Sequence, residues 1–251
     1  AFRAELDVWL RQNPPAVAAV AEHPSRKRIL WAAAAVLLLL VAGAAVWRFL
    51  LPHAPRPPLR VVRLTSYPGE EAQPALSPDG KQIAFSWSGE NQDNYDVYVR
   101  FVEGGQPLRL TTHPGKDGWP AWSPDGRQIA FGRWVFRSPK CETLLVSALG
   151  GGERKIGEFR LPPQPTAYIP AFAWTPDGRW LLANQNVAGS SDIGLALISI
   201  DTLEVRMLTT PVAGSAGDCC PAISPDGRRL AFRRSDKGRT WNLYVLTLGP
   251  G

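Results

Sequence analysis

Four aspartates, Asp79, Asp125, Asp177 and Asp226, each stand between a proline and a glycine, with a serine or threonine two places earlier. Carboxylates at such a spacing suit either a hard cation such as calcium or the backbone amides of their own turn. Turn bonding accounts for all four without an ion, because proline presets φ at the first corner and glycine accepts the positive φ that reverses the chain. The three thiols, Cys141, Cys219 and Cys220, are too few and too unevenly spaced for a disulfide framework or a C-x-x-C metal site. They read as buried or incidental, with a redox role for the adjacent pair as the alternative. His23, His53 and His113 fall in a linker, a spacer and a turn, which offers neither a general base nor a metal cluster. Gly150–Gly152 takes the place that Gly104 and Gly105 hold one unit earlier, so it reads as a strand connector and not a phosphate loop. A G-x-S-x-G elbow, a P-loop, an H-E-x-x-H pair and kinase signatures are all missing from the sequence. No nucleophile, base and charge-stabilising group stand together. The chain is therefore expected not to be an enzyme, and no catalytic, cofactor-binding or metal-binding residue is assigned.

The elements that carry these turns repeat. PALSPDGKQIAF, PAWSPDGRQIAF, FAWTPDGRWLLA and PAISPDGRRLAF place the turn aspartate at intervals of 46, 52 and 49 residues, a period that decides architecture. Each copy has apolar residues before the turn and a basic residue plus an apolar strand after it, which makes a β-hairpin. A further apolar strand follows in each unit, at Tyr95–Val102, Thr143–Leu149, Ile193–Ile200 and Trp241–Leu248. Shorter ones come after it at Pro107–Leu110, Glu153–Ile156 and Val205–Leu208. Four strands per unit cannot bury both faces of one small sheet, so the units must stack face to face around an axis as propeller blades. Trp122, Trp174, Phe85, Phe131 and Phe232 are the expected packing residues between blades. The third copy reads Leu182-Ala183 where the others read Ala-Phe, and looser packing is expected there.

This turn and its flanking strands resemble the TolB-like, WD-related β-propeller repeat over residues 60–251. The fold class that follows is all-β, a propeller of four-stranded blades with repeats near 66–110, 111–157, 158–208 and 209–251. Arg60–Thr65 reads like the outer strand of a blade, VVRLTSYPG beside LRLTTHPG, and the last unit lacks that strand. Two arrangements are open: Arg60–Thr65 completes the last blade and closes a four-bladed ring, or the chain is a piece of a larger propeller. TolB-like propellers usually have six or more blades, which points to the second.

Ahead of the repeats, Ile29–Trp47 reads ILWAAAAVLLLLVAGAAVW, long enough to cross a bilayer as a helix. A cleavable signal peptide is the alternative. Trp31 and Trp47 flank the run, and the triplet Arg26, Lys27, Arg28 before it sets the N-terminus on the cytoplasmic side and the propeller outside the cytoplasm. A linker at 13–28 precedes the run, and a stiff proline-rich spacer at 48–59 follows it. Residues 1–12 form an amphipathic helix with Phe2, Leu6, Trp9 and Leu10 on one face. Its Arg3–Leu10 string, RAELDVWL, resembles the closing helix of excisionase-like winged-helix DNA-binding domains. Of the formal net charge of +6, residues 1–59 carry +4 and residues 60–251 only +2. The propeller therefore lacks the basic footprint of a nucleic-acid binder.

These resemblances imply a membrane-anchored transcriptional regulator of the CadC kind, whose exported propeller binds a protein, peptide or small ligand and whose DNA-binding domain precedes residue 1. Two alternatives stand beside it. One is a TolB-like envelope scaffold for protein–protein interaction. The other is the propeller of a prolyl oligopeptidase-like hydrolase, whose Ser, Asp and His would follow Gly251. The loops Trp134–Lys140 and Asn184–Asp192 are the candidate contact regions.

Overall fold

The computed structural model describes residues 2–13, 26–50, 60–135, 138–161, 171–236 and 240–249. The chain divides into two compact units, 1–61 and 62–251. In the first unit, α1 spans Phe2–Gln12 and α2 spans Arg26–Leu50. On the expected apolar face of α1, Trp9 is exposed, while the side chains of Phe2, Leu6 and Leu10 lie outside the described residues. Helix α2 contains the whole Ile29–Trp47 run, but its side chains are described without a break only over 33–48. Among the described residues no helix is long and apolar enough to cross a membrane. Most of the linker and the spacer lies outside the described residues.

The second unit is built from strands in four successive antiparallel sheets, each a meander in chain order. The first holds β1 (Glu71–Leu76), β2 (Gln82–Trp87), β3 (Asp96–Phe101) and β4 (Gly104–Arg109). The second holds β5 (Lys116–Trp122), β6 (Gln128–Trp134), β7 (Lys140–Ser147) and β8 (Arg154–Arg160). The third holds β9 (Ala173–Trp174), β10 (Trp180–Asn186), β11 (Ile193–Ser199) and β12 (Val205–Met207). The fourth has three strands, β13 (Asp218–Ile223), β14 (Arg229–Ser235) and β15 (Trp241–Thr247). The first strands of successive sheets, β1, β5, β9 and β13, approach one another while β4, β8 and β12 stay apart. This places the first strands innermost, as in the blades of a propeller.

Every hairpin between the first and second strands closes on the repeated turn. In each copy the glycine N–H donates to the Ser or Thr carbonyl at 2.8–2.9 Å. The aspartate Oδ1 accepts the N–H two residues later at 3.0 Å in all four. The Ser or Thr hydroxyl accepts the N–H that opens the next strand. The four glycines have φ between +69° and +70°, where a Cβ would be strained.

Between blades the core is continuous. Val97 and Val99 of the first blade meet Trp122, Phe131 and Leu144 of the second. Ala130, Leu145 and Ile156 meet Leu181, Ala183 and Ile198 of the third, and Leu182 and Leu195 meet Leu230 and Phe232 of the fourth. Two tryptophans add the same polar link. Trp122 Nε1 donates to Ala75 O at 2.9 Å and Trp174 Nε1 to Ala121 O at 3.0 Å, so the second and third blades are each hydrogen-bonded to their predecessor. The exchange in the third copy does not loosen it. Leu182 and Ala183 are both fully buried, the larger side chain having moved to the face that meets the fourth blade.

Two expectations are corrected. Phe85 is buried but does not pack between blades: it lies with Trp87 and Tyr98 on the face turned away from the second blade, and Tyr67 covers them. Arg60–Thr65 forms no strand and does not complete the last blade. Its end is held on the first blade instead, where Arg100 donates to Leu64 O at 2.8 Å and Trp87 Nε1 to Pro68 O at 2.7 Å. The ring is therefore not closed by this segment. Val245 on β15 is 67% exposed and its counterpart Leu145 on β7 only 2%, because no sheet covers the far face of the fourth blade among the described residues.

Candidate functional site

The inner strands share an irregularity. In the first, second and fourth blades the ladder slips by a bulge, between Ala72 and Ala75, Gly118 and Ala121, and Cys219 and Ala222. Within each bulge one non-glycine residue has a positive φ: Gln73 at 55°, Trp119 at 56° and Cys220 at 56°. Each precedes a proline, Pro74, Pro120 or Pro221, that restricts it further. Such a conformation costs roughly 1–3 kcal/mol and tends to be kept where a side chain is being aimed.

Two of these residues are coupled across the blades. Gln73 Oε1 accepts from Ser86 Oγ at 2.7 Å and from the Trp119 N–H at 2.9 Å. Gly118 leaves the space this needs, since a Cβ there would stand 2.6 Å from Gln73 Oε1. The result is a cavity of about 440 Å³ lined by Gln73, Pro74, Trp119, Pro120, Ala121, Ala171 and Phe172. Trp119 is half-buried at its wall. An indole, a phenyl ring and prolines around one amide make a surface that takes apolar or aromatic side chains while the amide orients a backbone group.

A second cavity, of about 340 Å³, opens on the first blade, with Trp87, Glu90, Asn94, Asp96, Tyr98 and Arg109 in its wall. Burial pushes the Asp96 carboxyl up, against the pull of the Arg109 guanidinium that it binds. With that pair already satisfied, the inner cavity is the better candidate.

The residues singled out from sequence distribute as follows. Asp79, Asp125, Asp177 and Asp226 are occupied by their own turns. Their carboxyls are held below the ordinary value, first by the Ser or Thr hydroxyl. Cys141 is buried, and burial pushes its thiol up to about 12. Among the described residues no three His, Cys, Asp or Glu side chains are grouped as metal ligands. His113 bonds the Gly115 N–H in its turn, whereas His23 and His53 lie outside the described residues. Of the two candidate loops, 136–137 lie outside the described residues, and Asn184 is a buried strand residue that donates to Asp218 O at 2.9 Å. The inner bulges were not anticipated. Their signal in the sequence is a variable residue, Gln, Trp or Cys, before the Pro-Ala that the first, second and fourth copies share and the third replaces with Phe172-Ala173.

The chain matches the tricorn protease N-terminal β-propeller domain over residues 39–190. Among solved structures, TolB from Acinetobacter baumannii superposes with a TM-score of 0.59 at 20% identity, covering 75% of this chain and 43% of that one. A putative TolB from Agrobacterium tumefaciens gives 0.55 at 21%, covering 73% and 60%. A puromycin-hydrolyzing peptidase from Mycobacterium tuberculosis gives 0.55 at 18%, covering 74% and 28%. At these identities the likeness is one of fold, and the chain spans less than two thirds of each. No curated protein sequence matches it. Nothing in these comparisons supports the winged-helix resemblance of Arg3–Leu10 or a regulator of the CadC kind.

Proposed function

Because the chain belongs to the family of tricorn protease N-terminal β-propeller domains, we propose that it is a non-catalytic recognition module that takes a segment of another protein at its inner strands. The observation that carries this reading is the Gln73–Trp119 pair. Two residues in costly backbone conformations, one on each of two blades, hold each other by a 2.9 Å hydrogen bond at the wall of an apolar cavity. The same propeller frame occurs in TolB and in a peptidase. Interaction on its own and service to a catalytic domain elsewhere are both compatible with such a frame. The test is calorimetric titration with a library of short unstructured peptides. Saturable binding is expected for peptides with an aromatic or large aliphatic residue. Trp119→Ala should weaken the selected peptides by roughly thirtyfold, the loss of about 2 kcal/mol typical of a central tryptophan anchor. Equal binding by the variant sinks the reading.

Anchoring in a membrane is a separate proposal, favoured by one observation. Helix α2 is 25 residues long, about 37 Å at 1.5 Å per residue, and Leu37, Leu38, Leu39 and Leu40 are all exposed on it. With the basic triplet in its first turn, α2 would be a single span with the N-terminus cytoplasmic and the propeller outside the cytoplasm. Recovery of the chain in the alkaline-washed membrane fraction is expected. Recovery in the soluble fraction rules the anchor out without touching the recognition reading.

A further inference from the structure

The fourth blade carries at its inner bulge two adjacent cysteines instead of Gln73 or Trp119. In an extended strand, neighbouring side chains point to opposite faces. The φ of +56° at Cys220 breaks that alternation, and the two Sγ atoms come within 3.3 Å of each other. Cys219 is fully buried against its ladder partner Arg233, whereas Cys220 is partly exposed. One sulfur is thus open to a reagent and the other waits behind it.

We propose that Cys220 and Cys219 form a reversible thiol-modification site for disulfide reagents, with Cys220 as the attacking thiol and Cys219 as the resolving one. The Cys220 thiolate attacks one sulfur of a small-molecule disulfide, forming a mixed disulfide and expelling one thiolate. The Cys219 thiol gives up its proton to that thiolate and attacks Cys220 Sγ, forming the Cys219–Cys220 bond and expelling the second half of the reagent as a thiolate, which takes from water the proton that Cys220 had released on ionising. Two cysteines are oxidised by two electrons and one disulfide is reduced to two thiols, so atoms and charge balance.

The local chemistry favours this order. The Cys219 thiol, placed to donate to Cys220 Sγ, and then the Arg233 guanidinium lower the Cys220 thiol to about 6, while Cys219 is pushed up by the same contact and by burial. Cys220 is therefore largely thiolate at neutral pH and reacts roughly threefold faster than an ordinary thiol, after allowing for its lower intrinsic nucleophilicity. The product is not a structural staple. Sequence neighbours stand about 3.8 Å apart at Cα, short of the usual range of about 4.4–6.8 Å for bridged cysteines, so a free thiol reopens it readily. Cys141, buried and raised, serves as an internal control.

The experiment incubates the native chain with glutathione disulfide and reads intact mass and peptide maps. The unsubstituted chain should lose the mass of two hydrogens and keep no glutathione, Cys219→Ser should retain one glutathione on Cys220, and Cys220→Ser should stay unmodified. Because either substitution can disturb an inner strand, differential alkylation of the unsubstituted chain before and after reduction is the deciding measurement. Reduction should expose Cys219 and Cys220 for labelling but leave Cys141 unchanged. A lasting glutathione adduct on the unsubstituted chain, no reaction, or equal labelling at Cys141 overturns the proposal.

Discussion

Asp117 on β5 and Arg133 on β6 stand directly opposite each other and are joined by two hydrogen bonds, 2.7 and 2.8 Å, with both side chains almost wholly buried. Glu153 binds the same guanidinium at 2.6 and 2.9 Å. Desolvation works against the Arg133 charge, but the bonds to Asp117 and Glu153 outweigh it and raise its pKa. The pair recurs as Asp218 and Arg234 in the fourth blade, at 2.7 Å for both bonds. Asp117→Ala should cost about 3–5 kcal/mol, because it leaves a buried cation short of a partner. Asp117→Ala combined with Arg133→Met should recover most of that loss. Denaturant unfolding of the three proteins checks it, and additive losses would show that the pair is not a unit.

The two faces of the blade stack should respond oppositely to truncation. Phe131 is fully buried between the first and second blades, and Phe131→Ala is expected to cost about 3–5 kcal/mol. Leu243, 84% exposed on β15, should tolerate Leu243→Lys within about 0.5 kcal/mol while lowering self-association. Thermal unfolding and light scattering give the two readouts. A large loss at Leu243 would mean that the far face of the fourth blade is covered in solution.

The tryptophan links between blades can be tested without changing the fold of either one. Trp122→Phe keeps most of the apolar surface but removes the donor to Ala75 O, and Trp174→Phe does the same at Ala121 O. Each should cost about 1–3 kcal/mol, the penalty of a buried carbonyl left without its partner plus a small loss of packing. Losses below the error of chemical denaturation would show that water replaces the indole.

Acid should weaken the propeller in a defined window. Glu158 is held at about 2, below its ordinary 4.5, by Lys140 and then Lys155. A carboxyl lowered on folding contributes stability that is complete above its unfolded value and is lost as pH falls through its folded one. The Glu158 contribution should therefore be present at pH 5 and disappear toward about 2. The turn aspartates, also lowered, act in the same direction. Glu158→Gln should flatten the acid side of a melting-temperature profile, and added salt should do the same, since the lysines are exposed. An unchanged profile would remove the ion pairs from the acid response.

The repeat was legible because its signals are local. Ser-Pro-Asp-Gly closes a hairpin with atoms five residues apart at most, and the apolar strands around it sort inside from outside by alternation. The strand ends agree to within a few residues: Asp96–Phe101 stands where Tyr95–Val102 was expected, and Lys140–Ser147 where Thr143–Leu149 was. The Asp117–Arg133 pair was not legible. Glu71 and Trp87 hold its place in the first blade, so it is no part of the shared pattern. Arg60–Thr65 misled because its likeness to an outer strand concerns residue types, whereas pairing needs a free edge within reach.

By itself the sequence determined that one sheet-forming unit recurs four times and that its corners are turns, since these depend on contacts between near neighbours in the chain. Only the tertiary structure decided that Gln73, Trp119 and Cys220 occupy equivalent bulges, that two sulfurs meet on one side of a strand, and that one outer face of the blade stack is covered by Tyr67 while the other stays bare among the described residues. Those outcomes follow from how neighbouring sheets pack, and packing joins residues that no local pattern relates.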